Sequence, residues 1–570
     1  MTVSNGPQRA AAAAGQADVA LVVVGNNTTI NGKENQDRPD IILPPAQDNL
    51  ISAVAAANPN TVVVLKAGYP VAINAAQKSV PAILYSSHGG QEEGNFLADV
   101  LFGDYNPGGR LTETWFQSQD DLPPIADFDI RKGSTYWYFQ GEPLYPFGHG
   151  LSYTTFTYSN FAASSGDPIQ ISVDVRNTGA RAGDEVVQLY TKALGSKVQR
   201  PIQELKRFQR ISLQPGETKT ARFTLPVSEL SFWDVRRGAF TVEKGSVDLR
   251  VGASSRDIRL SQPVSVNGET LAPRNARAVI RAENYDEYSN VLLGQSGDGV
   301  QVAASATDGA WLLFREVDFG AGVNSMTMRA GGVPGGVEAH LDRVDGPSMG
   351  TCAISPARSA TTPAVLTCPT MTASGVHDLY LVFRVAASFY VDWFTFGAAA
   401  SSGAPSIDDG GVVDAAGYTQ PLLRGSWATV YGKNLARTTR GWAAADFRGA
   451  AMPQSLDGTQ VLVNGVPAPV WYVSSSQVNF QVPSGVPLGP AAVQVLTAAG
   501  VSAPAVAPID ETQPAFFFSA AGGKNWAVAQ HRDWSLIGPS GTPAQPGETI
   551  VLWGSGFGQT SPPVSPGFMQ

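Results

Sequence analysis

Residues 18–25 (DVALVVVG), 61–68 (TVVVLKAG) and 81–86 (PAILYS) decide the fold of the first part of this chain. Each is short, apolar and rich in β-branched residues, the pattern of a strand buried in a parallel sheet. Between the first two, residues 46–58 set Leu50, Ile51, Val54 and Ala55 on one helical face. After the third, residues 92–102 do the same with Phe96, Leu97, Val100 and Leu101. Strands alternating with helices predict an α/β domain over residues 1–160, its mostly parallel sheet covered on both sides. Such sheets meet ligands at the loops that follow the C-terminal ends of their strands. Two loops qualify, residues 26–43 and 88–94, and both contain carboxylates.

Downstream the period changes to two. Residues 171–175 (ISVDV), 185–190 (EVVQLY), 221–225 (ARFTL) and 246–251 (SVDLRV) alternate, separated by turn signals such as Asn177-Thr178-Gly179 and Pro215-Gly216. They predict a β-sandwich of immunoglobulin or fibronectin type over 161–270. A second all-β region follows at 275–398, then a small-residue linker (GAAASSGAP), and a third sandwich at 405–510. Residues 425–435 (GSWATVYGKNL) are echoed by 547–558 (GETIVLWGSGFG), so 511–570 reads as the start of a further, incomplete β module. The expected architecture is multidomain: one α/β domain, then several β-sandwiches.

The composition agrees. A chain of 570 residues is too long for one core, and 60 Gly with 40 Pro suit many short strands joined by turns. Net charge is −9 with no basic cluster, which argues against a nucleic-acid partner. No run approaches the length of a membrane span. Cys352 and Cys368 would form a disulfide in an exported protein, or stay as two buried thiols in a cytosolic one. The N-terminus lacks a basic start and an apolar stretch, so any secretion signal is expected upstream.

Hydrolysing a glycosidic bond takes two carboxyl groups, one to protonate the leaving oxygen and one to attack the sugar or activate water. The candidates are Glu34, in Glu34-Asn35-Gln36-Asp37-Arg38, and the pair Glu92-Glu93. By default Asp37 and Arg38 read as an ion pair fixing a loop, and Glu93 as solvent-facing. Residues 17–156, however, carry an ordered set of motifs: E-x-x-D-R…L-P from Glu34 to Pro44, Asn58-Pro59-Asn60-Thr61, Gly90-Gln91-Glu92, Asn106-Pro107-Gly108-Gly109-Arg110-Leu111, and Tyr145-Pro146-Phe147-Gly148-His149-Gly150. In this order they resemble the C-terminal α/β domain of family 3 glycoside hydrolases. The resemblance implies a retaining β-glycosidase, β-glucosidase first and β-xylosidase second. In that family an N-terminal barrel, which these residues do not supply, brings an Asp nucleophile. It implies Glu34 as acid/base and Glu92 as the alternative, with Asp37, Arg38 and His88 near the substrate. Tyr136, Trp137 and Tyr138 fit either a sugar-stacking face or an aromatic rim between domains.

The sandwich after it resembles the fibronectin type III-like domain of the same family, through Gly183-Asp184-Glu185-Val186-Val187-Gln188-Leu189-Tyr190 and Glu204-Leu205-Lys206-Arg207-Phe208. Residues 276–396 resemble a family 6 carbohydrate-binding module, a jelly roll, through Ala282-Glu283-Asn284-Tyr285, Gly309-Ala310-Trp311 and Val391-Asp392-Trp393-Phe394. That resemblance implies Trp311 as a sugar platform and a structural Ca²⁺ on Glu283 and Asp392. It also sets Arg281 where another ligand is often found, and Tyr390 where an Asn usually bonds the sugar. Residues 405–510 resemble immunoglobulin-like modules of bacterial exported proteins. The reading is an oligo- or polysaccharide-cleaving enzyme part, secreted or periplasmic, needing no catalytic cofactor and completed by a barrel. The alternative is a non-catalytic carbohydrate-binding secreted protein.

Overall fold

The computed structural model describes residues 5–27, 32, 38–296, 301–332, 335–354, 363–385, 388–397, 403–521, 523–539 and 541–558, and most of its regular elements are strands. The chain forms two compact units, Met1–Phe232 with Phe240–Leu271, and Trp233–Ala239 with Ala272–Gln570.

The first unit opens with α1 (Gly6–Ala14), β1 (Ala20–Gly25), α2 (Pro45–Ala57), β2 (Thr61–Lys66), α3 (Asn74–Ser79), β3 (Ala82–Ser86) and α4 (Glu93–Phe102). The three strands are parallel in the order β1-β2-β3. Central β2 is buried as its apolar run predicts, with Val63, Val64 and Leu65 at 2% exposure or less. Coverage of both faces is not what the structure shows for β1. Val22 and Val24 pack with Ile51 and Val54 of α2, whereas Leu21 and Val23 on the other face stand 51% and 63% exposed. Alternate side chains of a strand point to opposite faces, so a continuous apolar run does not reveal which face a helix covers. α4 departs in the same way: Val100 is buried, but Phe96 is 38% exposed.

The fibronectin-like sandwich follows. One sheet pairs β4 (Phe156–Ala163), β5 (Ile169–Asn177) and β8 (Thr218–Leu225). The other orders Ile258–Val266, Gly245–Gly252, β6 (Gly183–Leu194) and β7 (Glu204–Leu213). Ile171, Val173 and Val175 of β5 face Val187 and Leu189 of β6 in one apolar core. β4 begins at Phe156, ahead of the expected start of this sandwich at 161. The Asn177 turn is built as its sequence suggests. Its buried side chain accepts from Thr154 Oγ1 (2.6 Å) and the Gly179 N–H (3.1 Å) and donates to the Arg181 and Leu213 carbonyls.

In the second unit, residues 274–397 form two facing sheets around an aromatic core that includes Phe314, Phe383, Phe389, Phe394 and Phe396. Cys352 and Cys368 are bonded, joining edge strand Ser348–Ile354 of one sheet to edge strand Ala364–Ala373 of the other. Closing a loop of about 16 residues contributes about 3 kcal/mol by restricting the unfolded chain. Residues 406–510 form a further two-sheet sandwich, with Val430, Val461, Val478, Phe480 and Val493 in its core. Beyond it, residues 515–555 contain short paired strands.

Candidate functional site

The first unit's sheet ends in a straight row. Gly25 of β1 pairs with Lys66 of β2, and Lys66 with Ser86 of β3, so the three following loops leave from one edge. The row is tied across. Gln47 of α2 exchanges two 2.8 Å hydrogen bonds with the backbone of Gly25, and the Gly68 N–H donates to Asn26 Oδ1 at 3.0 Å. Gly25 has φ +143, and a Cβ there would lie 1.7 Å from the Lys66 carbonyl oxygen, so the strand can end this closely against β2 only with glycine.

Glu34 and Asp37 lie outside the described residues. Arg38 anchors the end of their loop: its guanidinium lies 3.8 Å from the Tyr69 ring centre and donates to the Pro70 carbonyl at 2.8 Å. Burial lowers its pKa from the ordinary arginine value, partly offset by Tyr69, Asp40 and Glu113. Arg38 thus fastens the first loop to the second. His88, exposed at the start of the third loop, faces Gly68 closely enough that an added Cβ there would lie 3.6 Å from its Cδ2. Three loops therefore meet around residues 26, 38, 68 and 88.

Of the two adjacent glutamates, Glu93 is disposed oppositely to expectation. Glu92 is exposed, its Oε2 accepting from Asn95 Nδ2 at 2.5 Å. Glu93, read from sequence as solvent-facing, turns inward at the start of α4, where its Oε2 lies 2.5 Å from Lys66 Nζ. Its side chain is only 12% exposed. A helix N-terminus favours a carboxylate, and the Lys66 at the end of β2 gives it a partner. Sequence reasoning passed over Lys66, although a charge ending an otherwise apolar strand marks a strand end that faces a loop.

The motif glycines and arginine serve another purpose: they seat the sandwich. Arg110 Nη2 donates to Glu185 Oε1 at 3.3 Å, with side chains 9% and 5% exposed. Tyr158 donates to the same oxygen at 3.1 Å. Burial pushes Glu185 above the usual glutamate range, opposed by Arg110 and Tyr158. Gln188 Nε2 donates to the Gly148 and Ala253 carbonyls, and Tyr190 donates to Gln188 Oε1 at 2.5 Å. Of the aromatic triplet, Tyr136 stacks on Phe147 at 4.2 Å and accepts the Leu205 N–H, and the Trp137 carbonyl accepts the Ile202 N–H. This is the rim between domains.

Three family models match in chain order: the glycosyl hydrolase family 3 C-terminal domain over residues 4–153, a fibronectin type III-like domain over 185–255, and a family 6 carbohydrate binding module over 281–398. The chain carries a family 3 C-terminal domain. Its sequence relatives are named as β-glucosidases. Thermostable β-glucosidase B of Acetivibrio thermocellus is 41% identical over 273 residues, 45% of this chain and 36% of the relative. The periplasmic β-glucosidase of Salmonella typhimurium is 37% identical over 263 residues, 43% and 34% of the two chains. The crystal structure of a Kluyveromyces marxianus β-glucosidase in complex with glucose matches at 37% identity and a TM-score of 0.45, over 47% of this chain and 34% of that one. The chain thus spans about a third of the length of the curated relatives it matches. The seam residues Arg110, Gly148, Glu185 and Gln188 join the family 3 domain to its fibronectin-like neighbour.

In the family 6 module, Trp311 is half-buried and meets Tyr380 edge-on at 5.5 Å. The Tyr390 side chain lies over Gly331, where a Cβ would come within 2.2 Å of its hydroxyl. Glu283 and Asp392 do come together, but as partners of arginines: Arg281 with Glu283 at 3.1 Å, and Arg329 with Asp392. Among the described residues no group of three or more His, Cys, Asp or Glu is placed to hold a metal ion. The donor set does not fit the calcium ion that the resemblance implies. No helix among the described residues is long and apolar enough to cross a membrane.

Proposed function

We propose that the family 3 domain is an α/β domain supplying the acid/base half of a retaining β-glycosidase site, with β-glucosides ahead of β-xylosides as substrates. The observation that carries this reading is the single row of strand ends at Gly25, Lys66 and Ser86. It sends the loop bearing Glu34 and the loop bearing His88 and Glu92 from the same edge. Arg38, held on Tyr69 and Pro70, anchors the first loop there. The relatives' naming as β-glucosidases supports the reaction class. Glu34 is the acid/base and Glu92 the alternative. The nucleophile belongs to a barrel outside these residues, so this chain by itself is nearly inactive, since catalytic carboxylates act as a unit. The family 6 module holds polysaccharide, with Trp311 as platform. The protein works outside the cytoplasm, where a disulfide such as Cys352–Cys368 persists.

The test is kinetic. In the protein assembled with its barrel, Glu34→Gln is expected to lower kcat on cellobiose roughly 100-fold or more. Added azide should restore part of the rate on an activated aryl glucoside. An inactive Glu92→Gln beside an unaffected Glu34→Gln would move the role to Glu92. Trp311→Ala is expected to abolish retention on insoluble glucan or xylan.

A further inference from the structure

Asp392 occupies a bulge. Across the strands Val323–Gly331 and Phe389–Gly397, Arg329 pairs with Trp393 and Ala330 with Val391, which leaves Asp392 as the extra residue. A bulge re-aims a side chain, and here Asp392 Oδ2 accepts from Arg329 Nη1. On the other side, the short strand Ile280–Arg281 pairs with the same strand and sets Arg281 opposite Trp393. Arg281 Nη1 donates to Glu283 Oε1 at 3.1 Å and lies 4.0 Å from Asp392 Oδ1. Two guanidinium groups thus flank two carboxylates whose side chains are only 12% and 4% exposed.

Calcium takes six to eight oxygen ligands and favours several carboxylates. This cluster offers two, and both already face a cation. Two carboxylates and two guanidinium groups sum to zero charge. A Ca²⁺ would add two positive charges beside Arg281 and Arg329, and burial strengthens that repulsion. Glu283 Oε2 and Asp392 Oδ1 are buried and accept no hydrogen bond within the protein, so they are the oxygens through which an ion would have to enter. Arg281 lies beside the second of them. We propose that Arg281 and Arg329 replace the structural calcium ion of this module, which therefore folds and stays folded without the metal.

The experiment is calorimetric melting of the whole chain, first stripped with EDTA and then supplied with CaCl₂. The transition midpoints are expected to coincide. An ion bound at about 100 times its Kd would raise the transition of a domain this size by roughly 10 °C, and a rise of that order overturns the proposal. Arg281→Glu removes one cation and supplies a third carboxylate. Its melting is expected to become calcium-dependent by a shift of that order, and a variant that folds only with calcium supports the proposal equally. A folded Arg281→Glu variant indifferent to calcium overturns it. Should the variant not fold under either condition, titration of the wild type with CaCl₂ decides. Absence of saturable heat supports the arginine pairing, whereas saturable heat lost in Asp392→Asn overturns it.

Discussion

The loop edge of the family 3 domain and the seam against its fibronectin-like neighbour use the same residue types in opposite ways. At the edge, Glu92 and His88 stand in solvent, and the Lys66–Glu93 pair keeps its lysine 39% exposed. At the seam, Arg110 and Glu185 are buried to 9% and 5%, and Gln188 bonds two carbonyls and a tyrosine hydroxyl. Charges in water are cheap to hold and free to meet a ligand. Charges in a seam must be paired, and once paired they fix how two modules meet. The most recognisable motifs, Gly108-Gly109-Arg110 and Phe147-Gly148-His149, fall at the seam. They mark packing rather than chemistry.

Substitutions at the two places should separate them, most strongly at the seam. Arg110→Ala leaves Glu185 buried without its cation and is expected to cost about 3–5 kcal/mol in the unfolding of the first unit, measured by urea titration. Burial holds Glu185 above its unfolded pKa, so the folded state binds its proton more tightly. Stability of this unit therefore falls as pH rises from the ordinary glutamate range through the raised value, and Arg110→Ala should steepen that fall. A flat pH profile would show that Arg110 and Tyr158 fully offset the burial. Gly148→Ala comes next. With φ +82 and an added Cβ only 2.1 Å from Gln188 Oε1, it is expected to cost about 1–3 kcal/mol by the same titration. At the edge, Lys66→Met should cost about 1–2 kcal/mol, less than the seam change, because the lysine is 39% exposed although Glu93 is only 12% exposed. An effect equal to that of Arg110→Ala would erase the distinction between edge and seam.

Much of this was legible in the chain. The sandwich strands write their burial as period two: β5 alternates from Ile169 to Asn177, with Ile171, Val173 and Val175 inward. That alternation survives because one face meets the core and the other meets water. The edge from which the candidate loops leave was legible as well, since the ends of parallel strands set it. Less legible was the state of each carboxylate. Glu92 and Glu93 are neighbours of one residue type, and only the turn into α4 decides that Glu93 faces Lys66 while Glu92 faces solvent. Glu283, Asp392 and Arg281 were identifiable together, but Arg329 was not. Arg329 is 46 residues from Glu283 in the chain, and it reaches the cluster through strand register and a bulge.

The amino-acid sequence by itself determined which segments become strands or helices, because local periodicity and turn residues encode them, and its motifs determined the order of the three matched modules. It also determined that the chain leaves β1 and β3 at one edge, because parallel strands in register end together. The tertiary structure alone decided which face of β1 is covered, which glutamate is paired, and that Glu283 and Asp392 are neutralised by guanidinium groups. Those outcomes depend on contacts between residues far apart in the chain, where burial and the nearest opposite charge set the energy, and neither can be read from spacing.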